Sequence, residues 1–133
     1  MNREEFLKDL KKYWVENSIP NITEVNARFL RDLIKIKKAK SLLEIWTANW
    51  FSTINFWIEL EKNWWKLISI EFSPNSHNQA LENIKKVNLE KTVKLILWNA
   101  LDEIPKIQET FDFIFIDWMK KRTVNFLKLV REK

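Results

Sequence analysis

The sequence contains no glycine among its 133 residues, whereas eight residues are tryptophan. Average composition predicts roughly 7% glycine, or about nine in a chain of this length. Glycine normally supplies positive φ angles and tight turns, so its absence excludes many ordinary turns. Seven of the tryptophans stand where a turn or an element end is expected, at positions 14, 46, 50, 64, 65, 98 and 118. Only Trp57 lies inside a helical pattern, as a core aromatic residue would.

Two interpretations of this composition remain open. In the first, the tryptophans are glycines in the organism, because a UGA codon that it reads as glycine has been translated as tryptophan. In the second, the core is rich in tryptophan and glycine is absent by chance. UGG codons at the eight positions would exclude the first interpretation.

The other absences limit the class of protein. Without cysteine the chain has no disulfide and no thiolate metal site. No apolar run approaches the ~18 residues of a membrane span, and the N-terminal Met-Asn-Arg-Glu-Glu is no signal peptide. We therefore expect a cytoplasmic protein. The net charge is +5, and the lysine and arginine residues are interleaved with acidic residues along the chain. This pattern favours a solvated surface but leaves nucleic-acid binding open.

An N-terminal helical segment is predicted over residues 1–40. A first amphipathic helix covers 4–13, and a loop with Pro20 covers 17–21. Thr23 begins a second helix, which ends in a lysine-rich stretch. The apolar face predicted for this helix consists of Phe29, Leu30, Leu33 and Ile34.

From residue 41 onward, strands alternate with helices. Strands are predicted at 42–46, 66–71, 93–97 and 111–117, and helical segments at 52–62, from Ser73-Pro74, around 101–107 and from about 121. This alternation is typical of an α/β fold with a parallel sheet and right-handed crossovers. Within it, Ser41–Ser52 (SLLEIWTANWFS) has the strand, turn and helix order that places a nucleotide-like ligand over a strand end. Such a turn needs small residues at 46 and 50.

With glycine in place of tryptophan, four blocks carry a family resemblance: LLEIGTANGFS, ISIEFSP, LILGNALDEIP and FDFIFIDGMKK. They resemble the class I S-adenosylmethionine-dependent methyltransferases, and within them the O-methyltransferases of the catechol and caffeoyl-CoA type. The likeness covers about residues 20–133. It implies a Rossmann-like parallel sheet of order 3-2-1-4 with helices on both faces. Residues 41–133 would form an incomplete S-adenosylmethionine-binding domain.

The resemblance also implies roles for individual residues. Glu44 would bind the ammonium group of the cofactor, Glu71 both ribose hydroxyls, and Phe72 the adenine. The full cofactor-binding set that it implies is Glu44, Trp46, Thr47, Ala48, Asn49, Trp50, Ser52, Glu71, Phe72, Asn99, Ala100 and Asp117.

Two further residues concern the chemistry of transfer. In metal-dependent members of the family, the residue matching Asp117 ligates a divalent cation, usually Mg²⁺, which lowers the pKa of the acceptor hydroxyl. Lys120 matches the catalytic lysine of the family. The alternative for Lys120 is an ordinary lysine at the start of a helix, within Lys120-Lys121-Arg122.

Two departures from the family pattern qualify these expectations. Indole side chains at 46 and 50 would fill the cofactor site, so the chain as written should bind S-adenosylmethionine poorly. The family also continues with a fifth strand and a hairpin, whereas this sequence stops at Lys133. We therefore expect a truncated gene product that is inactive by itself and competent at most in the cofactor half.

The sequence leaves three alternative functions open. The first is methyl transfer to a hydroxyl of a small molecule or of a hydroxylated tRNA base, in an enzyme that could form a homodimer. The second is a nicotinamide-dependent dehydrogenase, although the turn spacing differs from G-x-G-x-x-G. The third is a non-catalytic fragment that associates through its open sheet edge.

Overall fold

Helices and strands alternate along the chain in the computed structural model, which describes residues 2–17, 23–45, 51–62, 66–116, 128 and 131. The elements, in chain order, are α1 (Arg3–Glu16), α2 (Glu24–Lys37), β1 (Ser41–Ile45), α3 (Phe51–Glu61), β2 (Lys66–Glu71), α4 (Pro74–Lys86), β3 (Val93–Leu97), α5 (Ala100–Glu103), a 3₁₀ turn (Ile104–Lys106) and β4 (Phe113–Ile116).

The four strands form one parallel sheet in the order β3-β2-β1-β4. This confirms the predicted order and strand direction. The chain moves outward from β1 through β2 to β3 and then returns to the other side of β1, so the direction of winding reverses between β1 and β4. In open α/β sheets, ligands bind at such a reversal, outside the carboxyl ends of the strands.

Apolar side chains cover both faces of the sheet. On one face, β1 and β2 contribute Leu42 and Leu67 to a core that also includes residues of α1, α2, α3 and α4. On the other face, Leu43 and Ile45 pack with Ile104 and other residues that follow β3. A parallel sheet covered on both faces explains why its strands are apolar runs and not alternating patterns.

Trp57 is a core residue of α3, as its helical pattern predicts. Its side chain is buried, and its indole N–H donates a hydrogen bond to the Thr92 hydroxyl. The Arg3 guanidinium lies 4.2 Å from the ring centroid, in a cation–π contact between α1 and α3. Arg3 also forms an ion pair with Glu61. The indole therefore joins three parts of the fold.

Two helices end in left-handed residues, a position that glycine often takes. After α2, Lys38 has φ 53°, and the Ala39 N–H donates to the Ile34 carbonyl at 3.1 Å. After α4, Asn88 has φ 57°, and the Leu89 N–H donates to the Ile84 carbonyl at 3.0 Å. At both helix ends a residue with a side chain adopts the conformation that favours glycine.

The structure corrects two sequence predictions. Trp14 does not end the first helix, because α1 continues to Glu16 and is capped by Asn17, whose amide donates to the Tyr13 carbonyl at 2.7 Å. Phe29 is exposed, because the buried face of α2 centres on Ala27 and Ile34.

The boundaries of the remaining elements differ little from the predictions. β1 begins one residue earlier than predicted, at Ser41, and its predicted last residue lies outside the described residues. β2 and β3 agree with the predictions at both ends. β4 begins at Phe113 and not at 111, because Asp112 uses its carboxylate to accept hydrogen bonds from Lys40 and Ser41. Most of the predicted loop at 17–21 and the predicted final helix lie outside the described residues.

Candidate functional site

The carboxyl ends of β1, β2 and β3 bring the predicted cofactor residues to one edge of the sheet. Glu44 is the penultimate residue of β1, Glu71 is the last residue of β2, and Asn99 follows β3 by two positions. The strands are parallel and in register, with Glu44 opposite Ser69 and Glu71 opposite Leu97. Residues far apart in sequence therefore share the edge where α/β folds bind their ligands.

The Glu44 carboxylate is completely buried beneath the first turn of α3. The hydroxyls of Ser52 and Thr53 donate hydrogen bonds to it from α3, and the Ser69 hydroxyl donates from β2 at 3.0 Å. A buried carboxylate requires such donors to offset the loss of water. Because the three donors come from two elements, they fix the orientation of the carboxylate relative to β1, β2 and α3.

The Glu71 side chain is also buried, at the point where β2 ends. Its Oε1 accepts a hydrogen bond from the Ser73 N–H at 2.8 Å, and its carbonyl accepts one from the Trp98 N–H at 2.9 Å. Ser73 in turn caps α4. The next residue, Phe72, keeps 53% of its surface exposed. A buried acid therefore lies beside an accessible aromatic ring.

Trp98 has a backbone conformation that favours glycine. Its φ angle is 152°, although more than half of the residue (58%) is exposed to solvent. The Trp98 N–H nevertheless bonds to the end of β2, which holds the backbone in place. The geometry agrees with the prediction that position 98 is suited to glycine.

Asn99 and Ala100 have different surroundings. The Asn99 side-chain oxygen accepts a hydrogen bond from the Leu101 N–H at 3.0 Å and so caps α5. Ala100 is buried in the core below the sheet. Both residues begin the segment at the carboxyl edge where the predicted base contacts would lie, although the methyl group of Ala100 packs inward.

Several predicted site residues lie outside the described part of the chain. They are Trp46, Thr47, Ala48, Asn49, Trp50, Asp117 and Lys120. Their roles in cofactor binding, metal binding and catalysis stay predictions. Within the described ranges, no group of three or more His, Cys, Asp or Glu side chains could hold a metal ion.

Sequence reasoning missed two residues of the site, Thr53 and Ser69. Both hydroxyls bind Glu44, and both side chains are completely buried. Ser69 offered a signal, since it is the only polar residue inside the apolar stretch Leu67–Ile70. A hydroxyl in a strand covered on both faces needs a hydrogen-bonding group, and the acid of the neighbouring strand supplies it.

A separate cavity of about 460 Å³ lies between α1, α2 and α3, with Asn55 and Arg31 in its wall. Next to it, buried Glu59 of α3 forms an ion pair with Arg31 at 2.7 Å. Burial alone would raise the pKa of Glu59, but hydrogen bonds from Arg31 and Lys62 outweigh it and lower the pKa below its ordinary 4.5. This pair joins α2 to α3 and lies apart from the strand ends.

The sheet order, the reversal beside β1 and the acids at the ends of β1 and β2 define a Rossmann-like α/β protein of the nucleotide-cofactor class. The model of the O-methyltransferase family matches residues 1–132. The chain therefore belongs to the O-methyltransferase family, whose members are S-adenosylmethionine-dependent enzymes.

Individual relatives agree with this assignment. The chain is 33% identical over 101 residues to a catechol O-methyltransferase of Niastella koreensis, an alignment that covers 73% of this chain and 45% of that protein. It is 30% identical to a protein of Arabidopsis thaliana assigned to the caffeoyl-CoA O-methyltransferases. The alignment is 139 residues long and covers 96% of this chain and 59% of that protein.

A solved structure agrees as well. The O-methyltransferase of Bacillus cereus in complex with SAH superposes with a TM-score of 0.80 at 26% identity, covering 95% of this chain and 60% of that chain. The chain thus spans between 45% and 60% of the length of these relatives. Among the residues that the structure describes, we find no helix with the length and hydropathy of a membrane span.

Proposed function

We propose that this chain is the cofactor-binding part of an O-methyltransferase that uses S-adenosylmethionine to methylate a hydroxyl group. Family membership and the likeness to a relative solved with SAH support the proposal. The observation that carries it is the pair of buried acids, Glu44 and Glu71, at the carboxyl ends of adjacent strands, beside exposed Phe72.

Two of the described residues carry groups suited to parts of the cofactor. A carboxylate at the end of β2 can accept hydrogen bonds from two vicinal ribose hydroxyls, and we assign this role to Glu71. Phe72 offers an exposed ring for the adenine, and Asn99 and Ala100 begin the segment that would contact the base. The ammonium group is assigned to Glu44 from the resemblance alone, because its carboxylate is buried and accepts hydrogen bonds from Ser52, Thr53 and Ser69.

When bound, S-adenosylmethionine supplies a methyl group on a positively charged sulfur. The protein contributes mainly by positioning the acceptor oxygen in line with that methyl carbon. Lys120 as base, and Asp117 as a ligand of Mg²⁺, are proposed from the resemblance alone. The names of the catechol and caffeoyl-CoA relatives support a small phenolic acceptor over a hydroxylated tRNA base. The relatives are longer than this chain, and we propose turnover only for a protein of their full length.

Calorimetric titration with S-adenosylhomocysteine and with NAD tests the proposal. The chain as written and a variant with glycine at 46, 50 and 98 should be compared, with Trp57 retained in both. We expect the glycine variant to bind S-adenosylhomocysteine at least tenfold more tightly than the chain as written. Binding of NAD alone would indicate a dehydrogenase, and binding of neither ligand would favour a non-catalytic fragment.

A matched pair of acid substitutions tests the ribose role. In the glycine variant, Glu71→Ala should weaken S-adenosylhomocysteine binding at least tenfold, because a charge-assisted hydrogen bond is worth about 1.5–3 kcal/mol. Glu109→Ala removes an exposed acid before β4 and serves as the control. Equal effects of the two substitutions would contradict the assignment of Glu71.

A further inference from the structure

The cavity between α1, α2 and α3 is lined mainly by charged side chains. Its volume of about 460 Å³ is in the range of pockets that hold small molecules. Five cationic and three acidic side chains line it, so its wall carries two more positive than negative charges. The cations are Lys8 and Lys11 of α1 and Arg28, Arg31 and Lys35 of α2. This excess of positive charge favours an anionic ligand.

Arg31 is held in the wall of the cavity by two buried side chains. Its Nε donates a hydrogen bond to the Glu59 carboxylate at 2.9 Å, and its Nη1 donates one to the Asn55 side-chain oxygen at 3.5 Å. Glu59 and Asn55 are buried, whereas 28% of the Arg31 side chain is exposed. A guanidinium carries more N–H groups than these contacts use. Arg31 is therefore a pre-oriented donor at the cavity wall.

The positive charge of Arg31 is only partly compensated. Its partner Glu59 also forms ion pairs with Lys62, at 3.3 Å, and with Lys35, at 3.7 Å. One buried carboxylate thus faces three cations. Because charges in a partly buried site are weakly screened, the remaining positive charge would attract a second anion to this part of the wall.

Two further cations of the wall lack a close acidic partner. Within the described ranges, no ion pair involves Lys8 or Arg28, whereas the wall acids Glu24 and Asp32 each pair with another lysine. The pKa of Glu24 is lowered chiefly by its hydrogen bond with Lys11 and to a smaller extent by Arg28. Lys8 and Arg28 are exposed and come from different helices. An anion between α1 and α2 would therefore meet a cation on each side.

We propose that this cavity binds a small organic phosphate monoester, with Arg31 donating to the phosphate oxygens and Lys8 and Arg28 flanking it. A guanidinium matches the geometry of phosphate oxygens, and a monoester carries about two negative charges near neutral pH, which matches the excess charge of the wall. The cavity is larger than a phosphate group. Buried Leu7 and Ala27, with the aliphatic stems of the long side chains, offer apolar surface to the organic part.

Isothermal titration calorimetry in a phosphate-free buffer tests the class of ligand. Benzyl phosphate is the probe, and inorganic phosphate and benzyl alcohol represent its charged and neutral parts. We expect benzyl phosphate to bind at least threefold more tightly than inorganic phosphate, benzyl alcohol not to bind, and added salt to weaken binding. A chain that does not bind benzyl phosphate would overturn the proposal. Equal affinity for inorganic phosphate would overturn its organic part.

Substitutions in the cavity wall test the assigned residues. K8Q and R28Q should each weaken benzyl phosphate binding about threefold, because each removes one exposed cation. R31K keeps the charge but loses the planar fork, so it should weaken binding about tenfold. K37Q is the matched control, since Lys37 is an exposed cation of α2 outside the cavity wall. A loss with K37Q equal to that with R28Q would contradict a defined site.

Heteronuclear NMR locates the bound probe. Benzyl phosphate should shift the signals of α1 and α2 around the cavity and of the Asn55 side-chain amide, and leave the backbone amides of Phe72 and Trp98 unchanged. Shifts confined to those strand ends would place the probe in the candidate cofactor site and overturn the proposal. Circular dichroism checks the folding of each variant. If R31K does not fold, R28Q still tests the site, because its exposed side chain forms no ion pair within the described ranges.

Discussion

Backbone conformation at single residues bears on what the tryptophans are. Trp98 adopts φ 152°, a region that a side chain makes costly, while its indole is mostly exposed. Trp57 is the opposite case, because its indole is buried, donates a hydrogen bond to Thr92 and lies under Arg3. The structure thus separates a position suited to glycine from one suited to tryptophan. If recoding occurs, we expect UGA at codon 98 and UGG at codon 57.

Replacement of these two residues should have opposite effects on stability. Trp98→Gly should raise the free energy of unfolding by about 1–2 kcal/mol, because it relieves the cost of a positive φ. Trp57→Gly should lower it by about 3–5 kcal/mol, as expected for loss of a large buried side chain. Urea denaturation measures both. Trp98→Ala keeps the Cβ atom and serves as the control, so a gain equal to that of Trp98→Gly would contradict the backbone explanation.

The buried ion pair of Glu59 should make stability depend on pH. The pKa of Glu59 is lowered in the folded state, so its contribution is complete above its ordinary value of 4.5 and is lost as the pH falls through the folded-state pKa. Glu59→Gln should therefore cost about 1–3 kcal/mol near pH 7 and less below pH 4.5. Thermal unfolding across this range measures the difference. A difference that stays constant with pH would exclude the ion pair as its source.

At the scale of elements, the join between β1 and β4 depends on a residue outside both strands. The Asp112 carboxylate accepts hydrogen bonds from the backbone N–H groups of Lys40, at 3.0 Å, and Ser41, at 3.1 Å. The Asp112 N–H donates to the Ser41 carbonyl at 3.2 Å. These contacts set the register in which Leu42 pairs with Phe113.

Loss of this carboxylate should loosen β4 selectively. Asp112→Ala removes charge-assisted hydrogen bonds from two backbone amides, at a cost of about 1–3 kcal/mol. We expect faster hydrogen exchange at the amides of β4 and little change in the pairing of β2 with β3. Asp102→Ala, which removes an exposed acid of α5, is the control. Uniformly faster exchange across the sheet would instead indicate global destabilisation.

The elements that sequence patterns predicted best are those whose signal is local. β2 and β3 were predicted at both ends, because polar residues bound short apolar runs, and Ser73-Pro74 marked the start of α4. The predicted end of α1 at Trp14 is wrong, because the helix continues to Glu16 and Asn17 caps it. The exposure of Phe29 could not be predicted either, since it depends on which side of α2 packs against α3.

At the scale of the whole molecule, the alternation of strands and helices predicted a parallel sheet, whereas the family resemblance predicted the order of its strands. Sequence alone located Glu44 and Glu71 at strand ends, yet it did not predict the hydroxyls of Thr53 and Ser69 around Glu44. Those contacts require β2 and α3 to pack against β1 in one register. A pattern along the chain does not contain that information.

Ligand binding should stabilise the molecule as a whole, because the candidate site joins three strands. A ligand that binds only the folded state adds about 2.7 kcal/mol at a hundred times its dissociation constant. With glycine at 46, 50 and 98, S-adenosylhomocysteine should therefore raise the unfolding temperature, and Glu71→Ala should reduce the shift to about half or less at the same ligand concentration. Differential scanning calorimetry measures both.

Hydrogen exchange should show how far the stabilisation extends. The Glu71 carboxylate accepts a hydrogen bond at the start of α4, and the Glu71 carbonyl accepts one from the Trp98 N–H. Protection by the ligand should therefore extend over β1, β2 and β3. Protection confined to one strand would contradict a shared site.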